Sequence, residues 1–255
     1  MKMNAIIQVA ENSEELSRLA AENFVRFAVE AVRENGLFTV ALAGGSTPRN
    51  FYSLLSDPEK PFRTQVPWDK IHFCWGDERH VPPDHPDSNY RMARETLLSK
   101  VPVPSENIHR IKGEIAEASE AADQYEQTLR ELFRLRAAQF PRFHLILLGL
   151  GSDGHMASIF PGSEVINENR RLVVATTVRH VKSARITLTP PVLNKAQAVV
   201  FLVSGSEKAQ ALRGVLEGEY EPERLPAQLI RANKSTVLWL VDQQAASMLR
   251  SQTKS

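Results

Sequence analysis

Short apolar runs alternate with stretches of helical spacing along the chain. Short runs that end in glycine or polar clusters are typical of buried strands, whereas apolar residues three and four positions apart are typical of amphipathic helices. The pattern predicts strands at the start of the chain and at 38–43, 71–75, 143–148, 172–176, 184–189, 198–203 and 235–241. Such alternation predicts the α/β class, as a three-layer domain with a mainly parallel sheet covered by helices on both faces.

Two long stretches, 13–35 and 117–139, have the spacing of amphipathic helices. Ser13 is the predicted N-cap of the first helix, and Gly36 is predicted to end it. The second stretch has mixed surface charge and is predicted to cover one face of the sheet. The length allows one large domain or two small ones, and the lack of an internal repeat favours a single domain over 1–255.

The apolar run at 143–148 opens into a glycine-rich turn that carries Asp153 and His155. We predict a strand, this turn and then a helix, which places both polar side chains at the carboxyl end of a strand, where open α/β sheets bind ligands. The turn also matches the glycine fingerprint of dinucleotide-binding proteins. That alternative expects an acidic residue at the end of the next strand, but Glu168 precedes the run at 172–176. The fingerprint is therefore weak evidence for a nucleotide.

A second polar turn, Gly44-Gly45-Ser46-Thr47, follows the predicted strand at 38–43 and precedes a helical stretch with Pro48 in its first turn. The backbone N–H groups of such a turn, the two hydroxyl groups and the helix dipole can bind a phosphate. An ordinary glycine turn with a Ser/Thr cap is the alternative.

Charged residues follow two further strands. Asp77, Glu78 and Arg79 come after the run at 71–75, and Lys208 comes after the run at 198–203. Lys208 stands in the first turn of a predicted helix, where the dipole disfavours a cation, so an anionic partner would explain it. A solvated loop and a solvent-facing lysine are the alternatives. Because parallel strands end at one edge of the sheet, we expect these groups to converge with the two glycine turns.

The overall charge excludes some partners. The chain has 31 Lys and Arg against 30 Asp and Glu, so no general electrostatic attraction to nucleic acid or to an acidic membrane is expected. The histidines show no metal-binding spacing, and Cys74 is the single cysteine, so neither a metal site nor a disulfide framework is expected. No signal or membrane-spanning segment is seen, which predicts a soluble, cytoplasmic protein, with a monomer favoured.

Taken together, these motifs resemble the 6-phosphogluconolactonase family, within the wider group that includes glucosamine-6-phosphate deaminases. The segments that carry the resemblance are 41–48 (ALAGGSTP), 75–82 (WGDERHVP), 88–89 (SN), 148–155 (LGLGSDGH), 160–162 (FPG), 185–189 (RITLT) and 204–208 (SGSEK). The resemblance implies a Rossmann-like fold without a nucleotide or other cofactor, no metal requirement, and hydrolysis of a phosphorylated sugar lactone in the oxidative pentose phosphate pathway.

Two segments of the sequence distinguish the lactonases of this group from the deaminases. The deaminases tend to carry Asp-Glu-Tyr where this chain has Asp77-Glu78-Arg79, and Asn-Glu-Pro-Gly where it has Ile159-Phe160-Pro161-Gly162. The acidic residue that helps to open the sugar ring is absent, which favours the lactonase. A deaminase-like isomerase and a catalytically silent sugar-phosphate binder are the alternatives.

The resemblance also suggests roles for single residues. His155 would be the general base that activates water, and Asp153 would orient His155 or the water, or else cap the following helix. Substrate or phosphate binding is expected of Gly44, Gly45, Ser46, Thr47, Asp77, Arg79, Arg185 and Lys208.

Overall fold

The computed structural model describes residues 5–178, 183–231 and 236–250. The strands are β1 (Ala5–Ala10), β2 (Phe38–Leu42), β3 (Ile71–Trp75), β4 (Asp77–Arg79), β5 (Leu145–Leu148), β6 (Val173–Val178), β7 (Ser183–Leu188), β8 (Ala198–Val203) and β9 (Thr236–Asp242). The α-helices are α1 (Ser13–Asn35), α2 (Ser46–Ser56), α3 (Phe62–Gln65), α4 (Asn89–Ala93), α5 (Ala118–Leu132), α6 (Pro190–Lys195), α7 (Ala209–Glu217) and α8 (Gln243–Ala246). Ser235, the predicted start of the last strand, and His180 lie outside the described residues.

Six strands form one parallel sheet in the order β1-β9-β8-β5-β2-β3. Every residue of β2, β5 and β8 is buried, as the uninterrupted apolar runs of the sequence indicate for strands covered on both faces. Cys74 is fully buried in β3, where its strand position predicts an inert core side chain. The prediction of a mainly parallel sheet flanked by helices is confirmed, whereas the extent of the domain stays a prediction.

A second, three-stranded antiparallel sheet has the order β4-β7-β6. Here the predicted alternation of strands and helices was wrong, because β6 and β7 follow each other closely along the chain and pair in antiparallel register. Residues 77–79, predicted as a loop, form the short strand β4 because β7 pairs with them. Three consecutive charged residues have no apolar periodicity, so these residues can be recognised as a strand only from their pairing with β7.

Several helix boundaries differ from the prediction. The N-cap of α1 is Asn12 and not Ser13: Asn12 is extended, and its Oδ1 accepts hydrogen bonds from two N–H groups of the first turn. Gly36 ends α1 in the left-handed conformation, as predicted. Helix α5 ends at Leu132 instead of 139. Arg134, two residues further on, has a left-handed backbone conformation, which a right-handed helix cannot include.

The predicted helix after the central glycine turn does not form. Gly154 (φ +82°) and Ala157 (φ +46°) are both left-handed, which is incompatible with a continuous right-handed helix. Residues 151–163 instead make successive turns. The dinucleotide interpretation loses its main support, because the fingerprint binds a pyrophosphate at a helix N-terminus. Within the described ranges, no helix combines the length and apolarity needed to cross a bilayer.

Candidate active site

A cavity of about 220 Å³ lies at the carboxyl edge of the six-stranded sheet. The turns that follow β2, β3, β5 and β8 line it. Of the residues predicted for the site, the cavity is lined by Gly44, Gly45, Ser46, Thr47, Asp77, Arg79, His155 and Lys208. Asp153 and Arg185 do not line it, but each contacts or neighbours a residue that does. Groups separated by more than a hundred residues therefore meet in one place, although their roles stay predictions.

Asp153 holds the imidazole of His155 in place. The Nδ1 atom of His155 lies 2.5 Å from Oδ1 of Asp153, and the same oxygen accepts the backbone N–H of His155 at 3.1 Å. Burial opposes ionisation of Asp153, but its hydrogen bonds to His155 and the nearby imidazole outweigh this and lower its pKa. Because an ionised carboxylate only accepts, Nδ1 carries the proton and Nε2 is left as a base. Asp153 caps no helix, since none follows.

Two further features fix the orientation of the imidazole. A Cβ atom on Gly151 would lie 2.0 Å from His155 Nδ1 and 2.5 Å from Asp153 Oδ1, so only glycine leaves room for the pair. On another side, the ring of Phe160 lies 4.3 Å from the imidazole, centroid to centroid. The side chain of His155 is 31% exposed, so water can reach it.

The glycine turn before α2 has the geometry of an anion site. Gly45 is the N-cap of α2 with φ +104°, and no side chain caps the helix. The N–H groups of the first turn thus remain available for a ligand at the cavity. A Cβ atom on Gly44 would lie 1.9 Å from Oδ1 of Asn89, so the missing side chain lets Asn89 approach the turn.

Three cations lie at the cavity or next to it: Arg79 and Lys208 line it, and Arg185 neighbours Arg79. Arg79 and Arg185 are directly opposite each other across β4 and β7, and Lys208 lies half-buried before α7. Within the described part of the chain, none of the three forms an ion pair. Burial and the neighbouring charge of Arg79 lower the pKa of Arg185. An anionic ligand would relieve this repulsion.

The two arginines are held by neutral acceptors. Arg79 Nη1 donates to the carbonyl of Asp87 at 2.5 Å, and Arg185 Nη1 donates to the hydroxyl of Ser183 at 2.8 Å. These bonds leave the positive charges unneutralised while restricting the side chains. Cations held in this way can bind an anionic ligand without first losing an acidic partner.

Glu78 is a structural residue and not part of the cavity lining. It is 2% exposed, and its carboxylate accepts the N–H groups of Asn89 (2.7 Å) and Tyr90 (2.8 Å), which stabilises the start of α4. Burial raises its pKa, with the hydrogen bonds opposing that effect. Asp77 differs: it faces the cavity, while Oδ2 accepts a hydrogen bond from Ser158 at 2.6 Å.

Sequence reasoning missed two polar residues of this region as contributors to the site. Asn89 lines the cavity and donates to the backbone carbonyl of Asp77; the segment 88–89 contributed to the family resemblance, but no binding role was assigned to Asn89. Ser158 lies behind the cavity wall and had no distinguishing sequence signal. Among the described residues, no group of three or more His, Cys, Asp or Glu side chains could hold a metal ion.

Comparison with known proteins identifies the class. The family model "Glucosamine-6-phosphate isomerases/6-phosphogluconolactonase" matches residues 11–239, which is most of the chain. The protein therefore belongs to this family of enzymes. The fold agrees with this family but does not separate its lactonases from its deaminases. A monomeric glucosamine-6-phosphate deaminase has a TM-score of 0.79 at 21% identity, over 95% of this chain and 99% of its own.

The sequence relatives point to one branch. A 6-phosphogluconolactonase of Synechocystis is 43% identical over 87% of this chain and 88% of its own. The 6-phosphogluconolactonase of Trypanosoma brucei superimposes with a TM-score of 0.86 at 31% identity, over 97% of this chain and 100% of its own.

Proposed function

We propose that the protein hydrolyses 6-phospho-D-glucono-1,5-lactone to 6-phospho-D-gluconate in the oxidative pentose phosphate pathway. Similarity to proteins named 6-phosphogluconolactonase supports this substrate. The observation that carries the mechanism is the His155–Asp153 pair beside a cavity with unpaired cations. A cytoplasmic, monomeric enzyme with one domain over 1–255 completes the proposal.

The reaction needs an activated water molecule, because a lactone is an ester. His155 Nε2, which has no hydrogen-bond partner among the described residues, accepts a proton as the water oxygen attacks C1. The tetrahedral intermediate then collapses, the bond between C1 and the ring oxygen breaks, and the protonated imidazole returns the proton to that oxygen. Asp153 stabilises the transient imidazolium and keeps the tautomer correct.

The substrate's phosphate is bound by the cations and the glycine turn. Arg79 offers two parallel donors and Lys208 a point charge, and the N–H groups before α2 add further donors with the hydroxyls of Ser46 and Thr47. Arg185 adds positive potential from behind Arg79. The carboxylate of Asp77 would repel phosphate, so we assign it to accept hydrogen bonds from the sugar hydroxyl groups.

The test follows freshly prepared 6-phosphoglucono-δ-lactone in metal-free buffer, corrected for spontaneous opening, with glucosamine 6-phosphate as the parallel substrate. We expect accelerated lactone loss and no ammonia release. Ammonia from the amino sugar would assign the protein to the deaminase branch. Absence of both reactions would favour a silent sugar-phosphate binder.

A further inference from the structure

Ser158 lies in the tight turn 156–159, which directly follows His155, and is 1% exposed. Its hydroxyl donates to Asp77 Oδ2 at 2.6 Å, and its N–H donates to Thr187 Oγ1 at 3.3 Å. Asp77 and Thr187 are register partners on β4 and β7. Both hydrogen-bond donors of Ser158 thus attach the His155 turn to the small antiparallel sheet.

The turn needs such an attachment because its backbone is strained. Ala157 has φ +46°, a conformation that costs an L-residue about 1–2 kcal/mol relative to the right-handed one. Ile159 N–H donates to the carbonyl of Met156 at 2.9 Å, which closes the turn, and both of these side chains are fully buried. The bonds of the next residue, Ser158, offset this strain and hold the turn in one geometry.

The carboxylate of Asp77, which accepts the hydroxyl of Ser158, also reaches the opposite side of the cavity. Asp77 Oδ1 lies 3.4 Å from Nδ2 of Asn89, and Asn89 occupies the space beside Gly44. A short path of contacts therefore connects the glycine turn before α2 to the turn that carries His155. Asp77 is the middle member of this path, and its hydrogen bond with Ser158 joins the path to the His155 turn.

We propose that Ser158 is a positioning residue that sets the distance and orientation of His155 relative to the bound sugar phosphate. It acts through the Ser158–Asp77 hydrogen bond and does not touch the substrate. Misplacement of a catalytic group by about 1 Å can cost up to about 10²-fold in rate, so a loss of this bond should be visible in kcat. The proposal rests on His155 being the general base.

The test measures kcat, KM and the imidazole ¹⁵N resonances of His155 in Ser158→Ala. We expect kcat to fall roughly 10-fold with KM changed less than about threefold, together with a shift of the His155 resonances. In a His155→Ala background, Ser158→Ala should leave the residual rate unchanged, since the residue through which it acts is gone. Ser56→Ala is the matched control, because Ser56 is also buried and donates to a carbonyl at 2.7 Å, far from the cavity.

Ser158→Cys replaces the hydroxyl by a thiol of similar size that is a weaker hydrogen-bond donor. This variant takes the place of Ser158→Ala in the same measurements if the alanine variant fails to fold. Normal kcat, unshifted His155 resonances, or an equal loss of rate in the His155→Ala background would each overturn the proposal. Failure of the wild-type protein to hydrolyse the lactone would instead overturn the proposed function, so the two failures are distinguishable.

Discussion

The two ends of the six-stranded sheet both carry histidines, but in opposite surroundings. At the carboxyl edge, His155 has an acidic partner and faces a cavity with cations. Toward the amino ends of the strands, His72 and His109 bond to each other at 3.0 Å with stacked rings, and burial lowers the pKa of both.

His144 belongs with the second group. Its Nδ1 accepts the N–H of Thr39 at 3.0 Å, and burial lowers its pKa. The difference follows from strand direction: helix N-termini and glycine-containing turns collect at the carboxyl edge, where they can bind charged ligands. At the other end, imidazoles are kept neutral and serve as polar packing groups. The same side chain is therefore suited to catalysis at one edge and to structure at the other.

The largest effect is expected from a substitution of His155, the histidine at the carboxyl edge. His155→Ala removes the proposed base and should lower kcat by roughly 10²–10⁴-fold, with a small change in KM. His72→Gln is the control from the opposite end of the sheet and should retain kcat. Rates are measured on the lactone after subtraction of its spontaneous opening. Near-normal turnover by His155→Ala would refute the mechanism.

Gly151→Ala should disturb the same histidine without removing it. The new Cβ would lie 2.0 Å from His155 Nδ1, so the imidazole must move, and we expect kcat to fall by up to about 10²-fold. Gly149→Ala is a close control, since a Cβ there would have no atom within 4 Å. If the two variants had equal kcat values, the packing under the imidazole would be irrelevant to catalysis.

Arg79→Ala tests the charge at the carboxyl edge. Loss of charge-assisted hydrogen bonds worth about 1.5–3 kcal/mol should raise KM roughly 10- to 100-fold while kcat changes less. Arg26→Ala, on the outer face of α1 beside Phe27, should leave KM unchanged. Initial rates over a range of lactone concentrations separate the two constants. An unchanged KM would remove Arg79 from the phosphate site.

The smallest effect concerns stability at the amino end. Burial, with the charge of His72, lowers the pKa of His109 from 6.5 to about 4 in the folded protein. Between these pH values the folded state therefore binds fewer protons than the unfolded chain. Protonation of His109 thus favours unfolding, so its contribution to the free energy of unfolding is complete above pH 6.5 and declines as the pH falls toward 4.

His109→Gln should flatten that decline. Urea denaturation of both proteins at several pH values between about 4 and 6.5 measures the slope directly. A variant with the same slope as the wild type would show that the His72–His109 pair does not titrate as its burial implies. Lactone hydrolysis near neutral pH should be unaffected in this variant.

Much of the parallel sheet could be predicted from local pattern. The run at 71–75 coincides with β3 and the run at 198–203 with β8, and Gly36 ends α1 where predicted. Local signals suffice there because an apolar strand buried on both faces and a glycine in the left-handed conformation are encoded by neighbouring residues alone.

The site was predictable to the extent that chemistry-bearing residues follow strands. His155, Arg79, Lys208 and the Gly44–Gly45 turn meet at one cavity because the carboxyl ends of parallel strands share an edge. The contact of Asp153 with Nδ1 of His155 needed the structure, because a spacing of two residues in a predicted turn does not fix the directions of the two side chains.

By itself, then, the sequence determined the α/β class, the positions of the parallel strands along the chain and the family. Only the tertiary structure decided that 77–79 is a strand, that a second sheet exists, and that Ser158 binds Asp77. The physical reason is that these features depend on partners about eighty to a hundred and ten residues away: β7 supplies the hydrogen bonds of β4, and Asp77 accepts the hydroxyl of Ser158. Periodicity within a segment carries no information about such distant partners.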